Sequence, residues 1–386
     1  MSLKHLSVFA LAGFALAQES TPSLAQALNS TSELSQLQGV LGLNPGLLET
    51  LGGATNITIL APSNEAFGEI DNATLAGLAQ NTGLLTAILQ YHVLNGTYRA
   101  DDITNTSSFV PTLLTNPLFT NVTGGQVVEA IKRDNNVTFF SGLLSNSSVS
   151  TANVNFTGGV IHVIDRLLVL PENVLDTLSA ANLTSLRGAL NATGLAEAVN
   201  DSPNITVFAP TNEAIQNIGS ALQNLTEQQV TDILTYHVIN GTIGYSSGLE
   251  NGTTLETANG ESLTVTINNG SVFVNNAKVV ISDILIANGV VHVIDEVLNP
   301  TNQTIADPEA PEGEPVFEGA SSVSEVPYTS GQPTPTTTIA PEATEAANPT
   351  NTQNPAASST AGASQPMKTG AVGMGALFGA AAVYLM

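Results

Sequence analysis

The sequence predicts an α+β fold built twice in tandem. Two observations predict it: three sequence boxes return in the same order, and in each copy helical spacing comes first and β-rich runs come last. Thr58-Ile-Leu-Ala-Pro-Ser-Asn-Glu-Ala-Phe67 returns as Thr206-Val-Phe-Ala-Pro-Thr-Asn-Glu-Ala-Ile215. Leu89-Gln-Tyr-His-Val-Leu-Asn-Gly-Thr97 returns as Leu234-Thr-Tyr-His-Val-Ile-Asn-Gly-Thr242, and Gly159-Val-Ile-His-Val-Ile-Asp165 as Gly289-Val-Val-His-Val-Ile-Asp295. Matching boxes lie roughly 130 to 150 residues apart, the size of a domain and far longer than a solenoid repeat. Domain one is read as residues 18–170 and domain two as 171–300. With almost no linker between them, the two are expected to hold a fixed or semi-fixed relation.

Each element has a local reason. Leu24 to Leu48 carries helical spacing broken by Gly and Pro. Asn56 to Leu60 is a short apolar strand that Ala61-Pro62 should stop, and Ser63 can cap a brief helix over Asn64 to Phe67. Leu84 to Val93 is an amphipathic helix. In the second copy Leu263 to Ile267 and Ser271 to Val274 flank Asn268-Asn-Gly270, the pattern of a hairpin. Helices followed by strands in one unit give α+β.

The boxes contain all the histidines outside the leader. Leu85, Ile88, Leu89 and His92 stand at i, i+3, i+4, i+7, and Val230, Ile233, Leu234 and His237 repeat the offsets. Both histidines therefore fall on a buried helix face, with Tyr91 and Tyr236 at its edge. The spacing favours a His bonded to backbone with a Tyr packed beside it. The alternative is a Tyr-His corner partly exposed to a partner. In the last box Val160, His162 and Ile164 point one way and Ile161, Val163 and Asp165 the other. Both faces are largely apolar, so this is an interior strand, and His162 and His292 are core residues. Asp165 and Asp295 close their strands and are placed to cap the next turn.

Catalytic and metal patterns are weak. There is no Cys, which removes thiol chemistry, and no dense His/Glu spacing of the zinc type. Gly244-Tyr-Ser-Ser-Gly248 matches a nucleophile elbow, but such an elbow needs a strand before it and a helix after it. Here it falls among Asn, Gly and Thr, as a loop, and the first copy has no counterpart. No enzyme activity, cofactor or metal is expected. A net charge of −24 with 8 Lys and Arg leaves only Arg99, Lys132, Arg133, Arg166, Arg187 and Lys278 in the body. Nucleic acid needs clustered cations and is not an expected partner.

Residues 1–17 read as a signal peptide, with Lys4 and His5, an apolar run, and Ala15-Leu16-Ala17 as cleavage site. Beyond Pro300 composition shifts to Pro, Thr, Ser, Ala and Glu; residues 301–359 read as a disordered, O-glycosylated stalk. Residues 360–386 read as a glycosylphosphatidylinositol (GPI) signal: small residues, a polar spacer of about 8–12, then an apolar tail. Ser359 is the preferred attachment site and Gly362 the alternative; a single membrane span is the competing reading, though the tail is short for it. Asn-x-Ser/Thr acceptors for N-glycans stand at Asn29, Asn56, Asn72, Asn95, Asn105, Asn121, Asn136, Asn146, Asn155, Asn182, Asn191, Asn200, Asn204, Asn224, Asn240, Asn251, Asn269 and Asn302. Some lie inside predicted strands and can stay bare.

The three boxes, agreeing twice in order over about residues 22–300, resemble the fasciclin domain family. The whole layout is similar to surface fasciclin-like glycoproteins of fungi and plants. The resemblance implies two β-sandwich wedges flanked by helices, and adhesion or matrix binding without catalysis. In animal relatives the Tyr-His segment and an Asp-Ile pair before the last box are implicated in integrin binding. On this chain these are Tyr91, His92, Tyr236, His237, Asp283 and Ile284. The first copy departs, with Asn153-Val154 at the Asp-Ile position, and Ile215 stands where the family's first box usually ends in Phe.

The expected function is a cell-surface adhesion or matrix-binding glycoprotein, lipid-anchored at the outer leaflet of the plasma membrane or transferred to the cell wall. Its expected partners are cell-surface or matrix proteins and polysaccharides, a second copy of the chain among them. Alternatives are a wall-organising glycoprotein acting through its glycans and an internal membrane or vacuolar trafficking role.

Overall fold

The computed structural model describes residues 21–305, 307 and 312–334. The leader at 1–17, most of the stalk, and the anchor signal with Ser359 and Gly362 lie outside the described residues. The first copy carries strands β1 (Ile57–Pro62), β2 (Val93–Asn95), β3 (Ser108–Pro111), β4 (Val127–Arg133), β5 (Asn136–Phe140), β6 (Asn146–Phe156) and β7 (Gly159–Ile164). The second carries β8 (Ile205–Pro210), β9 (Val238–Ile239), β10 (Thr254–Glu256), β11 (Ser262–Asn268), β12 (Ser271–Val274), β13 (Ala277–Ile286) and β14 (Gly289–Ile294). The sheet orders are β2-β1-β7-β6-β5-β4-β3 and β10-β11-β12-β13-β14-β8-β9, so the copies share one topology.

The first and last boxes lie side by side. β1 runs parallel to β7 from Ile57↔Gly159 to Pro62↔Ile164, and β8 to β14 likewise, while the other named pairings are antiparallel. Side chains alternate along these strands. Ile57, Ile59, Ile161 and Val163 face a helical core with Leu24, Leu28, Leu85 and Ile88. Leu60 and Ile164 face the other way, onto Val128, Ala130 and Phe139 from the far strands. Each such buried aliphatic side chain contributes about 1.5–3 kcal/mol. The sheet curls until its edges meet: Leu94 bridges Thr112, and Val93 O accepts from Leu113 N at 2.8 Å. In domain two Val238 O accepts from Ala258 N at 2.7 Å. The interior-strand reading of His162 and His292 holds; both are almost wholly buried.

The glycine that opens the last box is a packing requirement. A Cβ on Gly159 would sit 1.8 Å from Ile57 O, and one on Gly289 would sit 1.9 Å from Ile205 O. Only hydrogen lets the parallel strands approach there. The expected helices and hairpin also form. Ser63 Oγ caps Asn64–Gly68 by accepting from Ala66 N, and Asn268 pairs with Ser271 around a turn whose two central residues both have positive φ. The helix near the second box runs Thr82–Tyr91, so His92 is its C-cap rather than part of its face. β1 continues through Pro62 because β2 is short, leaving nothing opposite the position where Pro lacks its N–H.

Two further expectations need correction. Asp165 and Asp295 do not cap a following turn. Their Oδ1 atoms accept from Ser148 N (2.7 Å) and Lys278 N (2.8 Å) on the neighbouring strand, where the ladder has ended and those amides lack a carbonyl. Nor does order end at Pro300. Residues 312–334 run as a strap over domain two. Glu314 N donates to Asn276 O, Val323 N to Gln216 O, and Gly313 N to Asp295 Oδ2. Val316 is buried, and Tyr328 O packs where a Cβ on Gly188 would be 1.9 Å away. The strap is poor in apolar residues but borrows backbone partners and a glycine notch, which composition does not reveal.

Candidate functional site: the Tyr-His corners and the domain joint

Each Tyr-His corner starts at the end of a helix, where C-terminal carbonyls need donors. His92 Nδ1 lies 2.8 Å from Ile88 O, and its Nε2 accepts from Leu168 N at 3.0 Å. His237 repeats this with Ile233 O at 2.7 Å and Leu298 N at 3.0 Å. An amide N–H can only donate, so Nε2 is the bare nitrogen and Nδ1 carries the proton. Burial, partly opposed by the helix carbonyl, lowers both histidines to about 4. They are neutral braces tying a helix end to the chain after the last strand. Tyr91 Oη donates to Val127 O at 2.9 Å; Tyr236 Oη donates to Ser262 O at 2.9 Å and accepts from Asn275.

The alternative of a partly exposed corner therefore does not match the geometry. Tyr91 and Tyr236 are 0% exposed, and His92 and His237 are 4% and 2%. Asp283 and Ile284 are also buried, at 4% and 0%. Asp283 sits in a bulge of β13 with φ 61°, and Asn153 occupies the same place in β6 with φ 59°. Each gives its backbone N–H to the box-three histidine, Asn153 to His162 and Asp283 to His292. Those histidines face Tyr98 O and Gly244 O through Nε2, both at 2.8 Å; burial lowers the His162 pKa. The side chains diverge: Asn153 Oδ1 accepts from Ala100 N, whereas the Asp283 carboxylate takes both Ser246 N and the Ser246 hydroxyl. The elbow-like string thus sits in a loop with its serine hydroxyl on a carboxylate, not on an imidazole.

Asp283 lies at a joint between the domains. Burial raises Glu129 of domain one to about 7; the Ser107 hydroxyl, donating at 2.5 Å, lowers it, and Asp283 across the joint raises it again. Phe109 stacks on Tyr245 with centroids 4.0 Å apart and planes at 9°. Leu143 and Leu144, both with positive φ, project from the β5–β6 connection into the core of domain two. Around them run polar contacts between the domains: Gln126 Nε2 to Ile286 O (3.0 Å) and Asn121 N to Ala287 O (2.7 Å). Asn204 and Thr123 make a two-way pair, Thr123 N to Oδ1 and Nδ2 to Thr123 Oγ1, both 2.8 Å. The short linker leads to a fixed or semi-fixed relation, but it does not name the residues of the joint. One signal could have shown it: Leu143-Leu144 puts two large apolar residues in a strand connection that the second copy makes with Asn275-Asn276.

Among the acceptor asparagines, Asn146, Asn200, Asn204 and Asn302 are half-buried and the others exposed. Among the described residues no group of three or more His, Asp or Glu is arranged to hold a metal ion, and no helix is long and apolar enough to cross a membrane.

Known proteins share this architecture. The fasciclin domain pattern matches twice, at residues 32–171 and 181–300. A fasciclin-like arabinogalactan protein of Arthroderma benhamiae is 37% identical over 325 residues, 82% of this chain and 76% of that protein. The fasciclin-like arabinogalactan protein elcF of Phaeosphaeria nodorum is 30% identical, over 72% of this chain and 89% of its own. Human periostin is 30% identical over 66% of this chain and 29% of its own length. With two complete copies of the domain and these relatives, the chain belongs to the fasciclin domain family.

Proposed function

We propose that this chain is a surface glycoprotein that presents its two domains as one docked unit for cell adhesion or matrix binding, and that it is not an enzyme. The observation that carries this reading is the joint. Leu143 and Leu144 of one domain complete the core of the other, so the pair offers a single outer surface rather than two swivelling modules. The Tyr-His and Asp-Ile residues shape that surface from beneath and do not touch the partner. The N-terminal leader and the GPI signal at Ser359, with Gly362 as alternative, bring the unit to the outer leaflet or the wall. The strap shortens the free stalk, holding domain two nearer its anchor than a stalk starting at residue 301 would.

A second reading follows from the dense, exposed asparagine acceptors and from the arabinogalactan names of the fungal relatives: the glycans themselves organise a wall or matrix. Bead aggregation by residues 18–334, before and after deglycosylation, separates the two. Aggregation that survives deglycosylation supports protein-mediated contact between copies, and loss moves the weight to the glycans. Beads that stay dispersed in both states and bind no matrix polysaccharide contradict the adhesive reading. A tag placed after Gln18 and found on internal membranes would favour the trafficking role instead.

A further inference from the structure

Asn204 stands where two chemistries compete for one amide. It precedes β8 in a left-handed conformation, φ 54°, and faces Thr123 of the other domain. The Thr123 N–H can only donate, which fixes Oδ1 on it and Nδ2 on Thr123 Oγ1, both at 2.8 Å. Because both contacts go to one residue, the Nδ2 hydrogen in use lies on the same side of the amide as Oδ1. Asn204-Ile-Thr206 is also an acceptor for N-linked glycans.

Glycan transfer makes a bond from Nδ2 to the anomeric carbon of a lipid-diphosphate-linked oligosaccharide. The anomeric carbon–oxygen bond breaks, the lipid diphosphate leaves with its electron pair, and one Nδ2 proton passes to a base. The product is a secondary amide, which prefers the trans arrangement. Trans places the sugar carbon on the side of Oδ1, the position that Thr123 Oγ1 occupies in the docked pair. We propose that Asn204 is a modification-controlled latch: its amide either clasps Thr123 across the domain joint or carries a glycan, and cannot do both.

The surroundings reinforce the competition. Thr123 is itself the hydroxyl residue of the Asn121 acceptor, and Asn121 Nδ2 donates to Asp201 O at 2.9 Å in the same patch. Thr206 is fully buried, donating to Thr242 O and accepting from Gly244 N, so a folded domain two hides the hydroxyl that transfer requires. The choice is therefore made before domain two closes. The first copy supplies a control. Asn56 precedes β1 with φ 58°, is exposed, and accepts from Thr97 N within its own domain.

The inference rests on the secretory reading only for the source of the glycan, and the test does not need it. The chain has no Cys, so Asn204→Cys gives one attachment point for a haloacetamide-linked N-acetylglucosamine in protein made without glycans. Hydrogen exchange then reads the joint amide of Asn121, which donates to Ala287 O, against strand amides inside each domain. Labelled Asn204→Cys should exchange at least about tenfold faster at the joint than unlabelled Asn204→Cys, with strand protection intact, while labelled Asn56→Cys keeps the joint closed. Joint protection unchanged by the label overturns the proposal. If Asn204→Cys undocks before labelling, the secreted protein decides by glycopeptide mass spectrometry. Asn204 bare wherever the joint is protected supports the latch; a glycan on Asn204 in such molecules overturns it. If the label opens the joint but secreted protein carries no N-glycan anywhere, the latch geometry stands and the glycoprotein reading fails.

Discussion

The two copies hold the same boxes in the same sheet positions, yet one box-adjacent residue lives in different surroundings. In domain one Asn153 accepts a single neighbouring amide, from Ala100. In domain two Asp283, at the same bulge, takes the Ser246 hydroxyl and amide and faces the buried Glu129 of the other domain. The helical faces differ in the same way. Gln36 N and Ser185 N both donate to the box-one asparagine, Asn64 and Asn212, which aligns Gly39 with Gly188. Gly188 is covered by Tyr328 of the strap, whereas Gly39 has open space above it. What the copies share makes the fold, and what they do not share makes the joint and the strap. Duplication supplied two surfaces, and divergence between them decided which would be covered.

The shared features should fail alike and most severely. Gly159→Ala and Gly289→Ala drive a methyl into a strand carbonyl, and each should cost about 4 kcal/mol or more. Denaturant unfolding measures this; a small loss at one glycine only would break the equivalence of the copies. Next come the braces. His92→Ala and His237→Ala each leave a buried backbone donor, Leu168 N or Leu298 N, without its partner and should cost about 1–3 kcal/mol. Unchanged melting with lost bead binding would contradict the internal role of the corner.

Glu129 separates the copies by pH. Burial holds its carboxyl up at about 7 in the folded protein, against an ordinary 4.5. Between those values the folded form keeps a proton that the unfolded chain has lost, so Glu129's contribution is full below about 4.5 and falls as pH rises through 7. The two lowered histidines act oppositely, losing stability as pH falls from 6.5 toward 4. Glu129→Gln should isolate the first effect. Its stability relative to the parent should grow by roughly 2–4 kcal/mol from pH 4.5 to above 7. A difference that stays flat with pH would remove Glu129 and Asp283 from the energetics of the joint.

The smallest effect sharpens the comparison of helical faces. Gly39→Ala sits in open space on a helix and should stabilise by up to about 1 kcal/mol. Gly188→Ala should instead release the strap, seen as faster exchange of Val323 N–H, with little change in the strands of domain two. Equal behaviour of the two variants would mean that the strap is not seated on Gly188.

The sequence shows the fold because the fold is carried by short-range pattern. Alternation marks β7 and β14, the i, i+3, i+4, i+7 spacing buries the corner, and Asn269-Gly270 sets a hairpin. The joint depends on pairs that no local pattern announces. Thr123 and Asn204 meet across 81 positions of sequence, and Gln126 reaches Ile286 across 160. The burial of His92 and His237 is legible, but that of Asp283 is not, because its carboxylate is held by Ser246 of a loop 37 positions away. The strap escapes for a different reason: its few apolar side chains, Val316, Phe317, Ala320 and Tyr328 among them, are scattered without helical or strand periodicity among residues held by backbone hydrogen bonds.

Leu143 of the first domain is built into the core of the second, which makes the two domains one structural unit. Hydrogen exchange of β8 and β14 in Leu143→Ala tests it most directly. Removing this side chain from domain one should lower the protection of the domain-two strands by about 2–4 kcal/mol in opening free energy. Full protection of β8 and β14, with any loss confined to domain one, would contradict it and leave two independent domains on a common chain.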